Sequence, residues 1–125
     1  AAARWNAETN RTHNIELARL SAEDMTAAMA GERTYRRLAE LKQPLAHYQF
    51  DNLLVDPPRA GLDAATLSLA STFKRVLYIS CNPETLSDNL ATLSATHNIE
   101  SLAFFDQFPY THHLESGVVL SKKTA

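Results

Sequence analysis

The sequence predicts an α/β domain built on a mainly parallel sheet. Short apolar runs bounded by turn residues alternate with segments whose apolar residues recur at helical spacing. One such run ends where a helix begins, because Asn82 suits an N-cap and Pro83 suits the first helical position. The last two predicted strands are joined without a helix. That connection predicts one antiparallel strand near the C-terminus.

Composition describes an ordinary globular chain and excludes several function classes. The 125 residues suffice for one core, and 45% are hydrophobic while 21% are charged. A net charge of −2 does not indicate a broad basic surface, so a nucleic-acid site would have to be a local patch. The single cysteine excludes an internal disulfide and suits a reducing compartment, which we expect to be the cytoplasm. No apolar run approaches the roughly 20 residues of a membrane span.

The first half of the chain reads as mostly helical. It begins on three alanines without an N-cap, and this abrupt start predicts that the chain was cut from something longer. Ser21 and Asp24 fit a capping box, and Pro44 stops the last helical stretch. The predicted elements are a helix over residues 1–10, a strand over 15–20, a helix from 22 to about 31 and a helical stretch over 34–42.

The polar part of this half carries a modest basic cluster. It consists of Arg33, Arg36, Arg37 and Lys42. Such clusters are mostly solvated helix faces, and contact with RNA is the functional alternative.

The second half alternates strands and helices. Asp63 suits the N-cap of its first helix. Phe104, Phe105 and Phe108 are expected in the core. The predicted elements are a strand over residues 50–55, a helix over 62–73, a strand over 76–79, a helix from 83 to about 97–98, and strands over 99–105 and 118–121.

The only cysteine, Cys81, lies between a strand and a helix. A helix N-terminus carries partial positive charge and favours a thiolate. Ligands of open α/β sheets bind outside the carboxyl ends of the strands. Cys81 is therefore a candidate nucleophile. The alternative is a small buried apolar residue.

Two further segments carry titratable groups where strands end. Asp56 follows a buried strand and opens a stiff loop, residues 56–61, with two prolines and Gly61. It is placed to touch a ligand, or else it forms a turn or helix cap. The connection over residues 106–117 is long and rich in aromatic groups, and Glu115 in it is a candidate general base. The adjacent His112 and His113 alone are weak evidence for a metal, and we expect none.

Three motifs in order resemble a known family. They are Asp-Pro-Pro-Arg-Ala-Gly at residues 56–61, Ser-Cys-Asn-Pro-Glu-Thr at 80–85, and Asp-Gln-Phe-Pro-Tyr-Thr-His-His-Leu-Glu at 106–115. They resemble the C-terminal signatures of the S-adenosylmethionine-dependent RNA (uracil-5-)-methyltransferases, over residues 1–123. Within that family the resemblance is greatest to the bacterial members that make 5-methyluridine in the tRNA T-loop.

The resemblance implies a chemistry and its residues. Cys81 would add to C6 of uracil, Glu115 would remove the C5 proton, and Asp56 would lie in the S-adenosylmethionine site. Arg59, Asn82 and Thr85 match motif positions, and Glu23 would approach the adenine. tRNA would be the partner.

The resemblance also implies that part of the fold is absent. Family members have a Rossmann-like class I methyltransferase fold with two earlier strands, a Gly-rich loop and an upstream RNA-binding portion. Residues 1–125 would be the C-terminal part of that catalytic domain, inactive alone. The absent strands would separate residues 15–20 from the other strands. We expect the later four strands to form the sheet. The early segment would then be mobile, repacked or paired with a second copy.

Three other functions compete. A ribosomal RNA uracil-5-methyltransferase fragment would share all three motifs. A non-catalytic RNA-binding or assembly module would be indifferent to Cys81→Ala. An amino-methyltransferase also carries Asp-Pro-Pro, but an aromatic residue usually follows there, and this chain has Arg59.

Overall fold

A computed structural model describes residues 2–124, which form two compact units. One comprises the residues up to Gln49, and the other begins at Phe50. The elements of the first unit are helices α1 (Ala2–Thr9) and α2 (Ala22–Met29) and two 3₁₀ turns (Arg36–Glu40 and Leu45–His47). Those of the second are β1 (Asn52–Val55), α3 (Ala64–Ala70), β2 (Arg75–Ser80), α4 (Pro83–Leu93), β3 (His97–Phe105) and β4 (Glu115–Lys122).

The first unit contains no strand among its described residues, so the strand predicted over residues 15–20 is wrong. Side-chain hydrogen bonds hold this segment instead. The Glu16 carboxylate accepts from the Lys42 backbone N–H at 2.8 Å and from the Tyr48 hydroxyl at 2.7 Å. These bonds lower the pKa of Glu16. A strand needs a neighbouring strand for its backbone groups. Among residues 2–124, no strand pairs with residues 15–20.

The expected cap of α2 is confirmed. The Ser21 hydroxyl accepts from the Asp24 backbone N–H, and the helix ends at Met29, just before Gly31. The helical stretch predicted over residues 34–42 is only a 3₁₀ turn, Arg36–Glu40.

The second unit holds a four-stranded sheet in the order β1-β2-β4-β3. β1 and β2 are parallel, while β4 is antiparallel to both β2 and β3. The prediction that the later four strands form the sheet, with one antiparallel strand near the C-terminus, is confirmed. Helices α3 and α4 are the crossovers that follow β1 and β2.

The core lies between the two helices and one face of the sheet. Alternate residues of β2 and β4 are buried, as strand geometry requires. The fully buried aliphatic and aromatic side chains of these two strands are Val76, Tyr78, Val118 and Leu120. Helix residues that complete the core are Leu67, Ala70, Leu86 and Leu93.

Three phenylalanines expected in the core are exposed instead. Phe104, Phe105 and Phe108 are 59%, 48% and 50% accessible. Phe104 and Phe105 lie on β3, which is an edge strand, and Phe108 lies in the β3–β4 connection. Neither α3 nor α4 buries these three side chains.

Several predicted boundaries also move, and the helix predicted over residues 62–73 is only Ala64–Ala70. The helix predicted to end near residues 97–98 ends at Leu93, and His97 begins β3. His97 is buried, and its Nε2 lies 2.9 Å from the Phe73 carbonyl oxygen. The final strand begins at Glu115, three residues before the predicted start, because Glu115 pairs with Phe105 of β3. No helix among the described residues combines the length and apolar character needed to cross a membrane.

Candidate active site

The turn after β2 is built to hold Cys81 in place. The Ser80 hydroxyl donates to the Asn82 carbonyl at 2.9 Å and accepts from the Asn82 N–H at 3.1 Å, so the residues on either side of Cys81 are bonded to each other. The Asn82 side chain caps α4 by accepting from the Glu84 N–H, and Pro83 opens the helix, as predicted. Cys81 itself is half-buried with a free thiol. The candidate nucleophile thus lies at a helix N-terminus.

The loop after β1 docks onto this turn through one carbonyl. The Arg59 carbonyl oxygen accepts from Asn82 Nδ2 at 3.2 Å and from Thr85 Oγ1 at 3.0 Å. A tight turn closes the loop, because the Gly61 N–H donates to the Pro58 carbonyl at 2.8 Å and Gly61 has φ of +78°. Two of the three sequence motifs are therefore joined by side-chain contacts.

A buried polar cluster fixes the end of the same loop. Asn89 Oδ1 accepts from the Tyr78 hydroxyl at 2.6 Å and from the Leu62 N–H at 2.8 Å. Burial raises the pKa of Tyr78, and the negative charge of a Cys81 thiolate adds to that rise. The phenol therefore keeps its proton and remains a donor to Asn89.

The sequence analysis gave Tyr78 and Asn89 no role at the site. The sequence did contain an indication for Asn89, because this residue lies on the same buried face of α4 as Leu86 and Leu93. A buried amide among leucines needs hydrogen-bond partners.

The third motif forms a structured connection between β3 and β4. Thr111 donates to the Phe108 carbonyl from both its N–H and its hydroxyl, and its hydroxyl accepts from the His113 N–H. The Phe108 ring meets the His113 ring edge-on at 6.3 Å. Tyr110 is held outward with φ of 65° and is fully exposed.

A contact between two side chains links this connection to the loop after β1. Arg59 Nη1 lies 3.0 Å from His113 Nδ1. The two residues are 54 positions apart. No sequence pattern pairs them.

Sheet register brings the predicted residues to one end of the sheet. Ser80, the last residue of β2, pairs with Ser116 of β4, so Cys81, which follows β2, and Glu115, which begins β4, both lie next to that pair. Asp56 follows Val55, the last residue of β1, and Val55 pairs with Tyr78. Asp56 is exposed, while Glu115 and Cys81 are half-buried.

Glu115 also lines an open groove of about 400 Å³. The other lining residues are Ile79, Phe105, Gln107 and Phe108. The walls of this groove are largely apolar, and Cys81 is not among the residues that line it.

Two further expectations concern a residue of the first unit and a metal site. Glu23 lies on α2, in the first unit, and its contact with adenine stays a prediction. In the part of the chain that the structure describes, no three His, Cys, Asp or Glu side chains are grouped to hold a metal ion.

Comparison with known proteins places the chain in a family. The model of the family described as tRNA (Uracil-5-)-methyltransferase matches residues 1–123. The chain belongs to the tRNA (uracil-5-)-methyltransferase family. This confirms the resemblance carried by the three motifs.

Two curated relatives in this family are named tRNA/tmRNA (uracil-C(5))-methyltransferase. The protein of Acinetobacter baylyi is 60% identical over 119 residues, which are 95% of this chain and 33% of the relative. That of Neisseria meningitidis serogroup C is 56% identical over 123 residues, 98% of this chain and 34% of the relative. The chain thus spans about a third of the length of these family members.

A solved family member has the same fold. The crystal structure of Pyrococcus abyssi tRNA (uracil-54, C5)-methyltransferase in complex with S-adenosyl-L-homocysteine matches with a TM-score of 0.68 and 29% identity. The match covers 94% of this chain and 25% of that one. The predicted class, a partial Rossmann-like methyltransferase fold, is confirmed.

Proposed function

We propose that this chain is the C-terminal part of the catalytic domain of an S-adenosylmethionine-dependent enzyme that methylates C5 of a tRNA T-loop uridine. The observation that carries the proposal is the convergence of Cys81 and Glu115 beside the Ser80–Ser116 pair, in a chain of this family. The solved relative binds S-adenosyl-L-homocysteine, and its name specifies uracil 54.

Cys81 would be the nucleophile. Uracil C5 is a poor nucleophile, and addition of the Cys81 thiolate to C6 makes C5 enolate-like. C5 then takes the methyl group of the sulfonium co-substrate, which leaves as the thioether. Sulfur suits this role because it adds readily and also leaves readily. The hydrogen bonds between Ser80 and Asn82 hold the thiol-bearing turn in one geometry.

Glu115 would be the base that completes the reaction. The C5 proton passes to its carboxylate, the C6–S bond breaks, and the C5=C6 double bond reforms with the thiolate released. The target base must be unstacked from the folded T-loop to reach this edge. The groove beside Glu115 has apolar walls that suit a planar ring.

S-adenosylmethionine would supply the methyl group, and the residues present fit only part of its site. Asp56 is exposed at the carboxyl end of β1, where α/β sheets bind ligands. The chain has only three glycines, Gly31, Gly61 and Gly117, and no Gly-rich loop. We propose that Asp56 contacts the co-substrate and that the rest of its site comes from the remaining two-thirds of the enzyme.

The isolated chain is therefore proposed to be inactive and to need that remaining part as its partner. The sheet face opposite the helices carries exposed apolar side chains, including Leu54 and Ile79. Self-association through this face is the expected behaviour of the isolated fragment. We place the enzyme in the cytoplasm, where a free thiol and tRNA are both found.

A fluorinated substrate tests this chemistry. We would replace the matching third of the Acinetobacter baylyi relative with this chain, then add S-adenosylmethionine and T-loop RNA containing 5-fluorouridine. Fluorine does not leave as a cation, so the reaction should stall after methyl transfer as a covalent adduct. Mass spectrometry should map the adduct to Cys81, and Cys81→Ala should abolish it.

The controls separate the rival functions. The chain alone should give no adduct, and Cys81→Ala should still bind RNA. RNA binding without any adduct in the wild-type chimaera would favour a non-catalytic binding module. Faster methylation of ribosomal RNA fragments than of tRNA would favour the ribosomal enzyme.

A further inference from the structure

The contact between Arg59 and His113 indicates which ring nitrogen of His113 carries a hydrogen. Arginine carries only donors and stays charged. Nδ1 of His113, 3.0 Å from Arg59 Nη1, must therefore accept. An imidazole whose Nδ1 accepts a hydrogen bond carries its ring proton on Nε2.

Arg59 is held at both of its ends. Its backbone carbonyl accepts from Asn82 and Thr85, which follow the nucleophile, while its side chain reaches His113. His113 in turn lies two residues before Glu115 and packs edge-on against Phe108, which lines the same groove. A continuous chain of contacts therefore joins the turn of Cys81 to the start of β4.

We propose that His113 is a positioning residue that sets the spacing between Cys81 and Glu115 by tying Arg59 to the β3–β4 connection. This inference rests on the proposed function. His113 itself takes no part in a bond-making step. It acts by restricting where Arg59, and through it the capping residues of α4, can lie relative to the base.

A purely structural role of His113 would be seen as a loss of stability, whereas a positioning role would be seen as a loss of rate. Both partners are exposed, and exposed polar contacts add little to stability. Loss of His113 should therefore leave the unfolding midpoint close to that of the wild type. A misplaced catalytic group, by contrast, costs rate, because a displacement of about 1 Å can lower it about 100-fold.

The contact can be tested on this chain without any activity. Nitrogen-15 imidazole spectra should show His113 as the Nε2–H tautomer at neutral pH. Arg59→Ala should change the His113 pattern and leave that of the adjacent His112 unchanged. An Nδ1–H tautomer for His113, or no response to Arg59→Ala, would overturn the contact.

A test of the positioning role of His113 requires an active enzyme, so it uses the chimaera with the Acinetobacter baylyi relative and T-loop RNA. His113→Ala should lower kcat about 10-fold or more while the KM values for both substrates stay within about twofold. His113→Asn offers an acceptor oxygen near the position of Nδ1 and should recover most of the rate. His112→Ala is the matched control and should behave as the wild type.

The outcomes separate the two proposals. Suppose that the wild-type chimaera is active. The positioning role alone would be overturned if His113→Ala had the kcat of the wild type, or if His113→Asn were as slow as His113→Ala. A folded wild-type chimaera that binds RNA but neither methylates it nor forms an adduct would overturn the proposed function and the role of His113 with it. Additive effects of Arg59→Ala and His113→Ala would show that the two side chains do not act together.

Discussion

Replacement of Gly61 by alanine should destabilise the second unit, because two independent costs meet at this residue. Gly61 has φ of +78°, a conformation that L side chains rarely adopt. A Cβ there would lie 2.8 Å from Asn89 Oδ1 and 3.3 Å from Thr85 Cβ. Since Asn89 is buried and bonded to Tyr78 and Leu62, it cannot move without losing a partner.

The magnitude follows from those two costs and one gain. The left-handed backbone costs a residue with a Cβ about 1–2 kcal/mol. A shifted Asn89 leaves one buried donor, the Tyr78 hydroxyl or the Leu62 N–H, unpaired at about 1–3 kcal/mol. The stiffer unfolded chain of alanine returns about 0.4–1 kcal/mol. The net expectation is a loss of roughly 1–4.6 kcal/mol, with a central value of about 3 kcal/mol.

Two other glycines provide controls for the separate costs. Gly117→Ala places its Cβ 3.4 Å from Phe105 Cε2, an ordinary contact at a φ that is not left-handed, so its stability should change by less than about 0.5 kcal/mol. Gly31→Ala has φ of +73° with nothing within 4 Å, so it should lose only about 1 kcal/mol in the first unit.

The assay must report on each unit separately. Urea denaturation combined with amide hydrogen exchange gives the opening free energy of the second unit from the buried β2 residues Val76 and Tyr78. Equal losses for Gly61→Ala and Gly117→Ala would refute the reasoning about both costs. Equal losses for Gly61→Ala and Gly31→Ala would refute the steric part.

Two further predictions concern single polar groups of the second unit. Hydrogen bonds from the Thr66 N–H and hydroxyl lower the pKa of Asp63 in the folded protein. The stabilisation by this N-cap is therefore fully present above the ordinary Asp63 pKa of 3.8, and it is lost as the pH falls through the lower pKa of the folded state. Asp63→Asn keeps an N-cap that does not titrate. The wild type should therefore lose stability relative to Asp63→Asn between about pH 5 and pH 2, as measured by urea midpoints. A difference in midpoint that stays constant with pH would contradict this. Ser116 is fully buried, and within the described residues its Oγ has no hydrogen-bond partner. Ser116→Ala should therefore raise the free energy of unfolding by up to about 1 kcal/mol, and a loss of 1 kcal/mol or more in urea denaturation would show that the hydroxyl has a partner.

The sequence by itself determined the elements whose signals are local. The N-caps Ser21, Asp63 and Asn82 were predictable because each accepts from a backbone N–H only two or three residues ahead. The junction around Cys81 was predictable for the same reason, and with it the candidate nucleophile. The order of strands and helices also specified an α/β sheet with one reversed strand.

Only the tertiary structure decided where strands begin and which side chains are covered. His97 and Glu115 belong to strands because of the residues they pair with, Lys122 and Phe105, and no local pattern encodes a partner. Residues 15–20 have strand-like composition, but no strand in the described part of the chain pairs with them. The exposure of the phenylalanines follows from which strands the helices cover. The contacts of Asn89 with Leu62 and of Arg59 with His113 join residues 27 and 54 positions apart. Such contacts arise only once the sheet and its crossovers have brought the loops to one edge.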